Sequence, residues 1–204
     1  MNRRRFLAGS AAAVATTLLL PGGSPLAAET SVTPTPAASP PTGSAHRYKI
    51  AVCDWMILKR QRLGAFGLTK EIGADGVEVD MGSLGKAETF DNQLAKPEVR
   101  QQFLDEARKL NLEISSLAMS GFYAQSFAER PTVLRMVQDC IDTMKLMNVK
   151  VAFLPLGVMS DLVKKPELHP AVVERLKAIA PKAEAAAVVI GIETALDAAG
   201  EAAL

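Results

Sequence analysis

Short apolar runs alternate with amphipathic stretches along the chain from Tyr48 onward. Five of the runs have the length and the residue types of strands. They are residues 48–53, 76–79, 112–118, 149–154 and 188–193. One helical stretch separates each run from the next, and this β-α alternation predicts right-handed crossovers and a parallel sheet.

The stretches between the predicted strands show helical spacing of apolar residues and recognisable ends. The second predicted helix begins near Pro97 and the third near Pro131. Their predicted buried faces are Val99, Phe103, Ala107 and Leu110 in the second, and Val133, Val137, Cys140, Met144 and Met147 in the third. Left-handed caps are expected at Gly73, Asn111 and Asn148. The fourth helix, residues 169–187, has Pro181 in its interior, which predicts a kink or a break there.

Two architectures fit this alternation, an open doubly wound sheet and a (β/α)8 barrel. The first strand leads into C-D-W-M-I-L-K, which lacks the glycine-rich turn of dinucleotide-binding sheets. Polar residues instead gather where strands end, as barrel active sites require. They are Asp54, Trp55, Glu78, Asp80, Ser120 and Glu193. A barrel needs ~250 residues, so residues 47–204 predict a partial TIM barrel with its first five strands and about four helices, without strands six to eight.

The first 28 residues resemble a twin-arginine export signal. Arg3 and Arg4 precede Phe6 and Leu7, and a short apolar core follows over residues 11–20. Cleavage is expected near Ala28, with delivery to the periplasm or the exterior. An uncleaved anchor helix is the alternative, but this core is shorter than the ~20 apolar residues that span a bilayer. No stable membrane span is therefore expected after cleavage.

Residues 29–46 are rich in Pro, Thr, Ser and Ala, and this composition predicts a disordered tether. The folded domain is therefore expected over residues 47–204. Overall composition is that of an ordinary α/β domain, with 49% hydrophobic and 22% charged residues and a net charge of +1. No basic stripe follows the signal, which disfavours nucleic acid as a partner. Cys53 and Cys140 fall on elements that are not neighbours in a barrel, so both are predicted to be free thiols.

Five motifs in order resemble the xylose isomerase-like barrel family of sugar phosphate isomerases and epimerases. They are K-I-A-V-C-D-W, G-A-D-G-V-E-V-D, S-L-A-M-S-G-F-Y, V-A-F-L-P-L-G and V-V-I-G-I-E-T-A-L-D-A. The resemblance implies that Glu193 is the first ligand of a divalent metal, Mn2+ or Mg2+, with Co2+ and Zn2+ also admitted. The other ligands of the family, an Asp, a His and a second Glu from strands six to eight, have no counterpart here.

The resemblance also implies a reaction and a substrate, a sugar or sugar phosphate. Proton transfer next to a sugar carbonyl makes an enediolate, which a divalent ion stabilises while carboxylates act as base and acid. Glu193 would share in proton transfer, Glu78 would arrange the sugar, and Trp55 would stack on it. The structural alternatives are a strand-end Glu193 bonded to backbone or lysine, a Glu78 salt bridge, and a Trp55 that covers the rim. Phe122 and Tyr123 belong to a loop that could close over a ligand, but isolated aromatic residues are more often packing residues, which is the role expected here.

Two further functions compete with the isomerase or epimerase. The endonuclease IV-like branch of the fold needs a histidine-rich zinc site, and the chain has only His46 and His169, which disfavours DNA repair. The second alternative is a non-catalytic fragment, or a domain that binds a sugar or a partner protein. Because a sheet of five barrel strands leaves two edges unpaired, the isolated chain is expected to be inactive and prone to aggregate or to form an oligomer.

Overall fold

The structure is a computed structural model that describes residues 47–204. The predicted export signal, residues 1–28, and the predicted tether, residues 29–46, lie outside the described residues, so both stay predictions. Within residues 47–204, no helix is both long and apolar enough to cross a membrane.

The described chain forms one sheet of five parallel strands whose spatial order is the order of the sequence. The strands are β1 Ala51–Cys53, β2 Gly76–Asp80, β3 Glu113–Ala118, β4 Val151–Pro155 and β5 Val189–Glu193. In a doubly wound sheet the order would reverse about a central strand. The sequential order, with a helix after every strand, is that of a partial TIM barrel, and it confirms the predicted fold class.

Five α-helices follow the strands, one more than the sequence analysis proposed. They are α1 Gly64–Glu71, α2 Pro97–Leu110, α3 Val133–Met147, α4 His169–Ala186 and α5 Ala198–Ala203. Short 3-10 helices lie at Gln93–Ala95, Ser120–Tyr123 and Pro166–Leu168. The additional helix α5 has only six residues and begins where the Asp197 carboxylate accepts the Gly200 N–H at 2.8 Å.

Strand boundaries agree with the predictions to within two residues except at the start of β1. The prediction began at Tyr48, but pairing begins with Ala51 opposite Gly76. The preceding apolar residues do not reach the core, because Tyr48 is 93% exposed and Ile50 is 61% exposed. In the described sheet β1 is an edge strand that pairs with β2.

The helix ends confirm the predicted caps but correct the prediction for α4. Gly73, Asn111 and Asn148 have positive φ values of 77°, 52° and 55°. Helix α4 continues through Pro181, so of the expected kink or break the break is wrong, and the kink stays a prediction. A proline at this position frees the carbonyl of Lys177, and both residues are exposed, so water can satisfy that group.

The core lies between the helices and the outer face of the sheet. Val77 and Val79 are fully buried there, whereas Glu78 between them points to the opposite, concave face. The predicted buried face of α3 is confirmed for all five of its residues, and Phe103 and Ala107 of α2 are buried as well. Cys53 and Cys140 are both free thiols, as predicted. The concave face, which would be the lumen of a closed barrel, thus carries the polar side chains.

Candidate functional site

A cleft of about 610 Å³ lies at the carboxyl ends of the first three strands. Three consecutive strand-to-helix loops form its walls, in the place where TIM barrels keep their active sites. Its lining residues are Trp55, Met56, Arg60, Ser83, Leu84, Gly85, Ser120, Gly121, Tyr123, Ala124 and Gln125. We call it the Trp55 cleft.

A second cleft of about 210 Å³ lies at the carboxyl ends of β4 and β5. Its lining residues are Tyr123, Gly157, Val158, Asp161, Glu193, Thr194 and Ala195. We call it the Glu193 cleft. Tyr123 lines both clefts and is therefore the boundary between them.

Tyr123 is the central contact of the site. Its phenol donates a hydrogen bond to Oε2 of Glu193, and its ring lies 5.7 Å from that of Trp55 and 6.2 Å from that of Phe153. Burial, the hydrogen bond to Glu193 and the nearby charges raise the pKa of the phenol well above its usual value. Tyr123 therefore stays protonated at neutral pH and acts as a donor.

A glycine on the β4 loop allows Tyr123 to take this position. Gly157 has φ +58°, and a Cβ there would lie 2.6 Å from the Cα of Tyr123. Any larger residue would push the Tyr123 segment away from Glu193. The P-L-G motif after β4 thus has a direct geometric role in the site.

Glu78 is held on the concave face by its neighbours on both sides of β2. Its Oε1 accepts a hydrogen bond from Cys53 Sγ at 3.0 Å, and its Oε2 accepts one from Ser116 Oγ at 2.8 Å. Burial, followed by this hydrogen bond, raises the pKa of the Cys53 thiol to about 12, so the thiol remains a donor. The predicted salt bridge of Glu78 is not formed within the described residues. Because each carboxylate oxygen accepts more than one bond, Glu78 still has capacity for a further hydrogen-bond donor.

Buried charges support the floor of the Trp55 cleft. Asp54 accepts the N–H of Asp80 at 3.1 Å and that of Gln61 at 2.8 Å. Asp80 accepts the Gly82 N–H at 2.8 Å and pairs with Nε of Arg60 at 3.2 Å. Both carboxylates are fully buried, and desolvation raises the pKa of Asp54 to about 7 and that of Asp80 to about 6.

Because the pKa values of Asp54 and Asp80 are raised, we expect the free energy of unfolding to fall as the pH rises. Each binds its proton more tightly in the folded chain than in the unfolded chain, whose value is near 3.8. The free energy of unfolding should therefore decrease between about pH 4 and pH 7, by on the order of a few kcal/mol. Urea denaturation at pH 5 and pH 8 measures the difference. Asp54→Asn should flatten most of the dependence, and an equally steep dependence in that variant would contradict the assignment.

The structure brings together only some of the residues that the sequence singled out. Tyr123 contacts both Trp55 and Glu193. Glu78 lies on the concave face and lines neither cleft. Phe122 is a packing residue, as predicted, with its ring edge-on to those of Phe90 and Phe127. Tyr123 and Arg60 were not predicted as site residues, because an aromatic or a cation on a loop has no periodicity that shows where it points.

The donor set for a divalent ion is small. Glu193 is exposed, and its carboxylate suits a hard ion such as Mn2+ or Mg2+. Over residues 47–204, no group of three or more His, Cys, Asp or Glu side chains is arranged to hold a metal. The described part of the chain therefore brings together fewer than three such donors, which is too few for a tight site of its own.

Comparison with known proteins identifies the same architecture. Residues 66–201 match the model of the xylose isomerase-like TIM barrel family. Among solved structures, a xylose isomerase domain protein from Planctomyces limnophilus has a TM-score of 0.51 at 10% identity, covering 68% of this chain and 51% of its own. The apo 3-keto-D-glucoside 4-epimerase YcjR from E. coli has a TM-score of 0.47 at 15% identity, covering 64% and 49%.

A third similar structure is the mannonate dehydratase from Streptococcus suis, with a TM-score of 0.45 at 14% identity, covering 71% of this chain and 51% of its own. No curated protein matches the chain. The chain thus spans about half the length of the solved structures that it matches.

Proposed function

The chain belongs to the xylose isomerase-like TIM barrel family, and we propose that it is part of a divalent-metal-dependent sugar isomerase or epimerase. The observation that carries the proposal is the position of Glu193. This carboxylate ends β5 at the catalytic edge of the sheet, opens into a cleft and accepts a hydrogen bond from Tyr123. A strand-end glutamate with only a structural role would not need a cleft in front of it.

Each site residue then has a definite task in the proposed reaction. Glu193 would hold the metal and would also take part in proton transfer at the carbon next to the sugar carbonyl, and the hydrogen bond from Tyr123 holds Glu193 in place. Glu78, fixed by Cys53 and Ser116, accepts a sugar hydroxyl. Trp55 provides an aromatic surface for a ring.

The metal is part of the proposal and rests on the family. A bound Mn2+ or Mg2+, with Co2+ or Zn2+ as alternatives, would supply the positive charge that stabilises an enediolate. Glu193 would hold it, together with donors outside the described residues. Because the described part brings together fewer than three such donors, the chain alone is expected to bind Mn2+ weakly and to be inactive.

A second candidate is a domain that binds a sugar or a partner protein without turning a sugar over. One observation favours this candidate. Residues 47–204 form two clefts but bring together no group of three or more side chains that could hold a metal. Such a domain would use Trp55, Tyr123 and Glu78 for recognition alone.

Uptake of solvent deuterium into a panel of aldoses, ketoses and their phosphates separates the two candidates. The assay compares this chain with a protein that carries it together with strands six to eight, each with and without Mn2+. Metal-dependent exchange in the longer protein, and none in the chain, is the expected result. Sugar binding without exchange in both proteins would favour the binding domain.

We also propose that the protein is exported through the twin-arginine route. The support is the sequence R-R-R-F-L with the short apolar core behind it. Replacing Arg3 and Arg4 by Lys should hold the protein in the cytoplasm, as fractionation and immunoblotting would show. Unchanged delivery of this variant, or of the parent chain in a strain without the translocase, would indicate another route.

A further inference from the structure

The two clefts that meet at Tyr123 differ greatly in size. The Trp55 cleft, at about 610 Å³, has about three times the volume of the Glu193 cleft, at about 210 Å³. Since Tyr123 lines both, a sugar ring that reaches Glu193 lies against the opening of the larger cleft. We propose that the substrate is a glycoside whose second, neutral, ring-shaped group occupies the Trp55 cleft. The proposal rests on the proposed function for the position of the reacting ring.

The walls of the Trp55 cleft suit an uncharged ring. The indole of Trp55 and the phenol ring of Tyr123 stand at one side, tilted by 45° to each other, and Leu84 lies opposite in the loop after β2. Met56, which is 67% exposed, lines the cleft with a flexible apolar side chain. Flat aromatic and apolar walls interact favourably with the faces of sugar or aryl rings. They interact only weakly with a phosphate group.

The only cation in the lining is already neutralised. Arg60 places its Nε 3.2 Å from Oδ1 of the buried Asp80 and donates from Nη2 to Ser120 Oγ at 3.1 Å. No other Arg or Lys lines the cleft. A phosphate carries nearly two negative charges at neutral pH, and the buried Asp80 offsets the one positive charge that the lining would offer it. The Trp55 cleft therefore favours a neutral group over a phosphate.

Trp55 contributes one more observation that points to a ligand. Its Nε1 is buried and has no acceptor among residues 47–204. A buried donor without an acceptor costs about 1–3 kcal/mol. Because Nε1 is buried, an oxygen atom of a ring in the Trp55 cleft can accept from it only when the indole turns toward the cleft.

Tryptophan fluorescence tests the proposal directly, because Trp55 is the only tryptophan of the chain. The 204-residue protein is titrated with D-glucose, D-glucose 6-phosphate, methyl β-D-glucoside and phenyl β-D-glucoside, and with the corresponding galactose compounds. The phenyl glycoside of one series should bind at least about tenfold more tightly than the free sugar, and the 6-phosphate no more tightly. Tighter binding of the phosphate, or no saturable response to a phenyl glycoside in either series, would overturn the proposal.

A pair of exposed residues provides matched variants, one in each cleft. Ala124→Phe fills the Trp55 cleft and should weaken the phenyl glycoside at least about tenfold while leaving the free sugar unchanged. Val158→Phe, at a position that is 68% exposed, narrows the Glu193 cleft and should weaken both ligands alike. Equal effects of the two variants on both ligands would contradict two separate subsites.

The titration needs neither metal nor turnover, so its outcome is independent of the isomerase proposal. If the chain shows no preference for the glycoside but the longer protein exchanges deuterium, only the glycoside proposal is contradicted. If the chain prefers the glycoside but the longer protein exchanges no deuterium, only the isomerase proposal is contradicted.

Discussion

Glu193→Gln is expected to lower metal-dependent proton exchange at the sugar carbon by about a thousandfold or more, in a protein that carries this chain together with strands six to eight. The substitution keeps the size of the side chain and removes its charge and its capacity to take a proton. The amide oxygen of glutamine still accepts the phenol hydrogen of Tyr123, so the loop should stay in place. Deuterium uptake, followed by mass spectrometry with saturating Mn2+, measures the loss.

The matched control for this variant lies on the segment that follows β5. Glu201→Gln makes the same chemical change on helix α5, where Glu201 Oε1 accepts from Thr194 Oγ1 at 2.6 Å. It should leave exchange within about twofold of the parent, because Glu201 lines neither cleft. Both residues are exposed, so the melting temperatures of both variants should match that of the parent. Equal exchange in the two variants would show Glu193 to be a structural strand-end residue.

The fold of residues 47–204 was predictable because its signals are local and repeat with every unit. Apolar runs at regular intervals specify parallel strands, and residues such as Asn111 and Asn148 end helices where the backbone turns left-handed. The exceptions have local causes as well. Pro181 was expected to kink or break α4, but a freed carbonyl facing water costs too little to end a helix that has a buried face.

The site was predictable only where a residue belongs to a strand end. Glu193 is the last residue of β5 and Trp55 lies two residues after β1, so their place at the carboxyl edge of the sheet follows from topology. Tyr123 lies on a 3-10 turn, and its contact with Glu193 depends on the close approach of Gly157, 34 positions further along the chain. No local pattern encodes such an approach, and for this reason Tyr123 was expected to be a packing residue.

The pairing of Arg60 with Asp80 was hidden from the sequence for the same reason. Arg60 follows β1 by seven residues in a loop where Leu58 and Gln61 have positive φ, so its direction depends on the course of the loop. The consequence for function is large, because an unpaired arginine in this place would indicate a phosphate site. The pairing with Asp80 offsets the charge of Arg60, and the proposal of a neutral glycoside takes this into account.

Gly82→Ala is expected to be the most destabilising of the single substitutions considered, lowering the free energy of unfolding by roughly 3–5 kcal/mol. Gly82 has φ +101°, and a Cβ there would lie 2.1 Å from the carbonyl oxygen and 2.6 Å from the carbonyl carbon of Asp91. Both contacts are with backbone, so no side chain can rotate away. The N–H of Gly82 also bonds to the buried Asp80, which couples the shift to the floor of the Trp55 cleft.

Gly85→Ala separates the clash from the backbone strain, because Gly85 lies in the same loop with φ +50° and has nothing within 4 Å of its Cβ position. This control should cost only about 1 kcal/mol, the ordinary cost of a left-handed alanine. Urea denaturation at one pH, together with titration of phenyl β-D-glucoside on the folded variants, gives both readouts. Gly82→Ala should lose stability and glycoside affinity together, since Asp80 and Arg60 move with the loop. Equal stabilities of the two variants would mean that the loop after β2 does not pass close to Asp91, and the described wall of the Trp55 cleft would then be wrong.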